Sequence, residues 1–279
     1  MDGRQLLAVI SLIILLNLPI PWAEGASQVQ HQVRQLNSQE TRQLDQLAKQ
    51  AVGATNAGDF ATAELYWTEI IQAFPFNAAA WSNRGNARVS QNLLEPAIAD
   101  YNQAIQLAPD ALDPYLNRGT AYEGLGKFEL AIADYDHILA LDPQDPMAWN
   151  NHGNALAGLG KWEQALRDYQ KAADLAPSFA FARANQAIAL YQMGETAKAL
   201  TQMRNILRKY PDFPDVRAAY SVALWAEGKI GEAESNWVSV EKLDRRYLDL
   251  NWVQQVRRWP PRLVLALSQF LRLDFPTDK

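Results

Sequence analysis

Apolar and small residues recur along this chain at helical spacing, and the whole pattern recurs every 34 positions. Alanine stands at Ala63, Ala97, Ala131, Ala165, Ala199 and Ala233. Proline falls at Pro75, Pro109, Pro143, Pro177 and Pro211. A small residue keeps the same register at Ala51, Gly85, Gly119, Gly153, Ala187 and Ser221. A turn residue does so at Gly58, Asn92, Gly126, Gly160, Gly194 and Gly228. Four columns without a slip mark a repeat array.

Residues 112–145 show the physics of one copy. Asp113-Pro114 opens a helix, where proline is tolerated in the first turn. Tyr115, Gly119 and Tyr122 share one face, and Gly124-Leu125-Gly126 ends the helix. A second helix runs from Lys127 to Leu141 and presents Ala131, Tyr135 and Ile138 to the first; Pro143 stops it. One such pair cannot bury its own apolar face, so stacked neighbours must build a continuous core. The spacing gives six copies, 44–77, 78–111, 112–145, 146–179, 180–213 and 214–247. The first and fifth are weaker, and the sixth has Arg245 in place of proline, as divergent end repeats should.

The pattern resembles the tetratricopeptide repeat, a helix–turn–helix unit of the same length. Its aromatic, small, alanine, aromatic and proline signature is matched by Trp149, Gly153, Ala165, Tyr169 and Pro177; Leu156 stands where an aromatic is commoner. The resemblance implies an all-α, right-handed superhelical solenoid with the first helices lining a concave groove. It also implies a partner that is a protein or peptide, and no catalysis.

Composition narrows the chemistry. The net charge of −5 argues against nucleic-acid binding, which needs a basic footprint. There is no cysteine, hence no disulfide and no thiolate site. His31, His137 and His152 have no metal-ligand spacing, and no metal or cofactor is expected. Gly124-Leu125-Gly126-Lys127 and Gly158-Leu159-Gly160-Lys161 imitate a phosphate loop. Phe128 and Trp162 follow where Ser or Thr is needed, so these are inter-helix turns.

Arg84, Arg118 and His152 fill one column of the first helices; Asp100, Asp134 and Asp168 fill one column of the second. The other copies lack both charges. Their joint appearance predicts a pair across the two helices of each copy, fixing register more than adding stability. A role in facing a partner is the other reading.

Asn83, Asn117, Asn151 and Asn185 form a further column, on the first helices. It resembles the asparagine ladder in the repeats of O-linked N-acetylglucosamine transferases, whose amides hold the backbone of an extended peptide; the transferase domain has no counterpart here. A carboxamide both donates and accepts, so it pairs with any peptide unit. Asn86 and Asn154 extend the strip. The alternative is that these amides satisfy neighbouring groups. The family's carboxylate clamp needs groove lysines and arginines, whereas these groove positions are mostly Asn, Ser, Thr and Ala, which disfavours a C-terminal carboxylate ligand.

Both ends break the period. Leu6–Leu18 is almost uninterrupted hydrocarbon, about 20 Å as a helix. That is short for a membrane span and suits a signal peptide over 1–23, with an uncleaved membrane anchor as the alternative. Residues 24–43 are a polar, Gln-rich spacer, in which a loose helix is compatible with Val29, Val33 and Leu36. After the repeats, 248–279 reads as helices covering the last repeat or docking a partner. Tyr247–Arg258 forms one helix, Trp259-Pro260-Pro261 a break, and Leu263–Leu273 a second helix. Arg257, Arg258 and Trp259 are the candidate docking residues. With the two prolines they resemble the tails of repeat proteins from cyanobacteria and chloroplasts, some of them thylakoid-lumenal. The expected function is a scaffold binding an extended segment in an extracytoplasmic compartment. The alternative is a membrane-anchored assembly factor acting through its basic, Trp-rich tail.

Overall fold

The computed structural model describes residues 37–274. The apolar N-terminal segment and most of the Gln-rich spacer lie outside the described residues. The spacer's last residues are already helical, because α1 (Ser38–Asn56) starts with Asn37 accepting from the Gln39 and Glu40 amides. From residue 42 onward the described residues form one compact unit.

Six helix pairs follow the period. They are α1 with α2 (Phe60–Ala73), α3 (Ala78–Ser90) with α4 (Leu94–Leu107), and α5 (Leu112–Gly124) with α6 (Phe128–Leu141). Then come α7 (Pro146–Gly158) with α8 (Trp162–Leu175), α9 (Ala180–Gln192) with α10 (Thr196–Lys209), and α11 (Pro214–Ala226) with α12 (Ile230–Leu243). Every turn-column residue has positive φ, from 61° at Asn92 to 90° at Gly194. That conformation strains any residue with a Cβ, asparagine least.

The small column sets how closely the two helices of a pair approach. A Cβ on Gly85, Gly119 or Gly153 would come within 2.6, 2.6 and 2.8 Å of the rings of Tyr101, Tyr135 and Tyr169. Each tyrosine lies against bare backbone one helix away. Ala131, Tyr135 and Ile138 are fully buried, as their spacing required.

First helices also touch the next first helix, α3 with α5, α5 with α7, α7 with α9 and α9 with α11; second helices lack comparable mutual contacts among the described residues. The first helices therefore lie on the inner, concave side of a solenoid. No strand occurs among the described residues, and the fold is an all-α superhelix.

The tail departs from the expected helices. A 3-10 turn, Arg245–Leu248, is followed by a short α13 (Leu250–Gln255), not by one helix to Arg258. Asp249 caps α13 by accepting from Asn251 and Trp252. The helix stops early because the chain must swing Arg257 and Trp259 onto one buried carboxylate, which puts Arg258 at φ 52°. Pro261 belongs to the next helix, α14 (Pro261–Asp274), as its first residue, so the break is Trp259-Pro260. This helix covers the last repeat, where its Phe270 ring lies 4.8 Å from that of Trp237 in α12. It packs on α9 and α11, on the concave face of the fifth and sixth repeats.

Candidate peptide-binding groove

The paired charges meet. Arg118 Nη2 lies 2.6 Å from Asp134, Arg84 Nη2 lies 2.7 Å from Asp100, and His152 Nδ1 lies 2.7 Å from Asp168. The aspartates are buried. Each base also reaches the preceding repeat's second helix. Arg84 donates to Thr68 Oγ1 at 3.3 Å and Arg118 to Asn102 Oδ1 at 2.6 Å; His152 Nε2 lies 3.4 Å from Asp136. Arg88 adds a second cation to Asp100 at 2.9 Å and bonds Glu64 at 2.8 Å. These side chains are occupied by the scaffold, which leaves the groove to other columns.

Three columns of the first helices face the groove. One runs Asn83, Asn117, Asn151, Asn185, Ala219; the next runs Asn86, Thr120, Asn154, Ile188, Val222. The third runs Val89, Glu123, Ala157, Tyr191, Trp225. From the third to the fourth repeat all three are polar or small; in the fifth the second and third columns turn apolar, at Ile188 and Tyr191, while Asn185 stays polar, and in the sixth all three are apolar. The change falls where α14 lies.

The asparagines divide into two groups. Asn83 and Asn117 are half-buried, and their carboxamides make no hydrogen bond among the described residues. Asn185 Nδ2 donates to Asn150 at 2.9 Å and to Asn154 at 3.1 Å, while Asn150 Nδ2 donates to Asn151 at 3.0 Å. Asn86 and Asn154 accept from the Tyr101 and Tyr169 hydroxyls at 2.8 and 3.0 Å. Burial first, then Asp100 beside Tyr101 and Glu123 near Tyr169, raises the pKa of both phenols, so they stay donors. The strip expected from the sequence thus has an uncommitted stretch at Asn83 and Asn117 and an internally bonded stretch beyond. Asn150, buried and central to that network, has no counterpart in other copies, which is why no column revealed it.

The expected docking residues of the tail are engaged within the molecule. Asp215, buried in the first turn of α11, accepts from Tyr247 Oη at 2.7 Å, Trp259 Nε1 at 3.0 Å and Arg257 Nε at 3.1 Å; the other Arg257 nitrogen, Nη2, also bonds it. Burial disfavours charge on Arg257, but Asp215 more than offsets this and raises its pKa. Arg258 points the other way and donates to the Glu123 carbonyl at 2.7 Å, with the Glu123 carboxylate 3.7 Å away. Arg258 is the most exposed of the three, at 42%, against 32% for Arg257, and Trp259 is buried.

Glu123 is the most strongly shifted carboxyl among the described residues. Burial pushes its carboxyl up to about 7, against the opposing pull of the Tyr135 hydroxyl, which donates to it at 2.6 Å, and of Arg258. Its ordinary value is near 4.5, so between these two pH values the folded protein retains a proton that the unfolded chain releases. Stability from this group is therefore full below about 4.5 and declines as pH rises to about 7. Glu123→Gln should gain roughly 2–3 kcal/mol relative to wild type between pH 5 and pH 8. Chemical denaturation of both proteins at the two pH values checks this. A difference that does not change with pH would refute it.

A shallow cavity of about 440 Å³ at the junction of the fourth and fifth repeats is lined by Gln170, Gln186, Gln202, Arg167 and Lys198 with two leucines. No carboxylate lines it, so it holds no acid–base pair.

Models of the tetratricopeptide repeat match residues 89–148, residues 146–179, and both 49–111 and 185–242. The chain belongs to the tetratricopeptide repeat family. No curated protein matches it. A tetratricopeptide repeat protein from Parabacteroides merdae is 18% identical and superposes with a TM-score of 0.63 over 85% of this chain and 95% of its own. TTC0263, a thermophilic tetratricopeptide repeat protein of Thermus thermophilus, is 20% identical, with a TM-score of 0.57 over 65% of this chain and 99% of its own. MamA from Desulfovibrio magneticus is 16% identical, with a TM-score of 0.54 over 59% and 93%. At these identities the likeness is one of fold. Tetratricopeptide repeat proteins typically mediate protein–protein interactions and are generally scaffolds without enzymatic activity.

Proposed function

We propose that this protein is a non-catalytic scaffold that holds an extended protein segment in the concave groove of its first four repeats. The observation that carries the reading is the pair Asn83 and Asn117, 34 residues apart on adjacent groove-lining helices, whose amides have no hydrogen-bond partner among the described residues. Half-buried amides lose solvation when covered, so they favour a ligand rich in peptide groups. Arg257 and Trp259 serve Asp215, which weighs against a partner held by the basic tail.

The compartment follows from sequence. The apolar Leu6–Leu18 supports export, and the Arg257-Arg258-Trp259-Pro260-Pro261 string supports a photosynthetic membrane, with the protein on its lumenal or periplasmic side. Natively isolated protein beginning near residues 24–27 would agree with cleavage; a chain retaining Arg4 would show an anchor instead.

The binding test uses a partner captured from native membranes and titrated against wild type and the Asn83→Ala/Asn117→Ala variant. Each lost amide–peptide bond costs about 0.5–1.5 kcal/mol, so affinity should fall roughly 5- to 150-fold. Alanine favours helix, so circular dichroism should not change. Equal affinity in the folded variant would end the proposal.

A further inference from the structure

The outer face of the fifth repeat carries a basic surface that the packing of the repeats does not require. We infer that the exposed side of α10, with the clefts on its two flanks, docks an acidic segment of a partner protein, whose carboxylates pair with Lys198, Arg204 and Arg208.

Charge singles out this helix. The first helices line the concave side, so the second helices form the convex one. Five second helices, α2, α4, α6, α8 and α12, hold more acids than bases. The sixth, α10, holds Lys198, Arg204, Arg208 and Lys209 and no acid, in a chain of net charge −5. All four bases are exposed. The helix dipole accounts for Arg208 and Lys209 in the last turn, but it disfavours Lys198 in the first. Arg204 and Arg208 also stand at i and i+4, where like charges destabilise a helix. A bound carboxylate would relieve that repulsion.

The clefts come from a change in a column already described. In earlier copies Arg84, Arg118 or His152 fills the space between consecutive second helices, bonded on both sides. In the fifth copy the base is replaced by Gln186 and its acid by Gln202. Gln186 donates only to Gln170, and the space opens into the cavity of about 440 Å³, with Arg167 on its α8 wall and Lys198 on its α10 wall. On the other flank a cleft of about 260 Å³ between α10 and α12 is lined by Arg204, Arg208, Tyr220 and Asn236, with Glu232. The cations thus stand around two recesses. Arg167 and Arg208 have no ion pair or hydrogen bond among the described residues. Lys198 meets Glu195 at 2.9 Å, and Arg204 donates to the neutral Tyr220 hydroxyl at 3.0 Å.

Spacing and surroundings choose the partner. Arg204 and Arg208 are one turn apart, about 6 Å along the axis, close to the roughly 6.7 Å between alternate side chains of an extended chain. Acidic residues at every second position of a segment therefore match them. A bilayer is a poorer fit, because the exposed α10 residues beside the bases are Ala197, Thr201 and Asn205, and none is a large apolar group that could enter it. Asp174, Glu195 and Glu232 stand at the edges of the clefts and would repel an unbroken run of phosphates. This surface lies opposite the groove, and the inference does not rest on the asparagine stretch.

The test uses the full chain and a fluorescein-labelled synthetic peptide of four Glu-Ala repeats, followed by anisotropy at about 50 mM salt, where surface charge is weakly screened. The Lys198→Gln/Arg204→Gln/Arg208→Gln variant should bind it roughly tenfold or more weakly than wild type. The Arg42→Gln/Lys49→Gln/Lys127→Gln variant loses the same charge elsewhere and should bind as wild type does, as should Asn83→Ala/Asn117→Ala. Equal weakening in the two charge variants would leave only the overall field and overturn the inference. So would a wild type that does not bind the peptide, or binds the matching Gln-Ala peptide equally well. Sedimentation of wild type, but not of the α10 variant, with phosphatidylglycerol vesicles that the peptide fails to displace would make a membrane the occupant and overturn it too.

Discussion

Asp215→Ala will unfasten the C-terminal segment at a cost of about 3–5 kcal/mol, the range for removing one partner of a buried ion pair. The carboxylate is 4% exposed and collects a phenol, an indole and both sides of a guanidinium. Without it, the Tyr247 and Trp259 donors lose their acceptor and Arg257 loses the carboxylate it is bonded to. Asp215→Asn keeps the volume but not the charge, and should fall between alanine and wild type. Denaturant unfolding should show an early transition for the tail ahead of the repeats, and trypsin should cut rapidly at Arg257 and Arg258. A single unchanged transition with resistant arginines would mean that Asp215 is not the fastening.

Arg118→Ala should cost a similar 3–5 kcal/mol, while replacing both Arg118 and Asp134 with leucine should cost far less or even stabilise. Asp134 is 4% exposed, and Arg118 is its only cation among the described residues. Burial lowers the pKa of Arg118, but the bond and charge of Asp134 overcome this, and its pKa ends raised. Breaking one side leaves a desolvated carboxylate, whereas removing both sides removes the desolvation cost too. Arg84→Ala is the internal control. Asp100 keeps Arg88 at 2.9 Å, so that loss should be clearly smaller. Urea midpoints of the four proteins decide. Equal losses for Arg84→Ala and Arg118→Ala would contradict the pairing scheme, as would a double variant worse than the single one.

Much of the architecture was legible because a solenoid repeats its contacts. Tyr101, Tyr135 and Tyr169 meet Gly85, Gly119 and Gly153 in the same way three times, so a column of residues stands for a contact. The Arg–Asp pairs could be read because both charges arrive and vanish together. What could not be read lies outside the period. Arg258 reaches Glu123 across 135 positions and Trp259 reaches Asp215 across 44. Neither distance is a multiple of 34, and a contact made once leaves no column. The Asn150 network escaped for the same reason. Leucine and phenylalanine at helical spacing in 263–270 announced an apolar face, but not whether it would cover the end of the array or enter the groove. The apolar shift at Ile188, Val222 and Trp225 was the available signal, visible only when copies are compared position by position.

The bonds of the tail to both Glu123 and Asp215 turn it into a ruler. Its two arginines span from α5 to α11, a distance fixed by the number of repeats between them. A duplicated repeat inserted between those helices would move one anchor out of reach and strand a buried carboxyl. A duplication before α5 would leave both where they are. The array is thus free to lengthen at its N-terminal side and is held to a set count at the other.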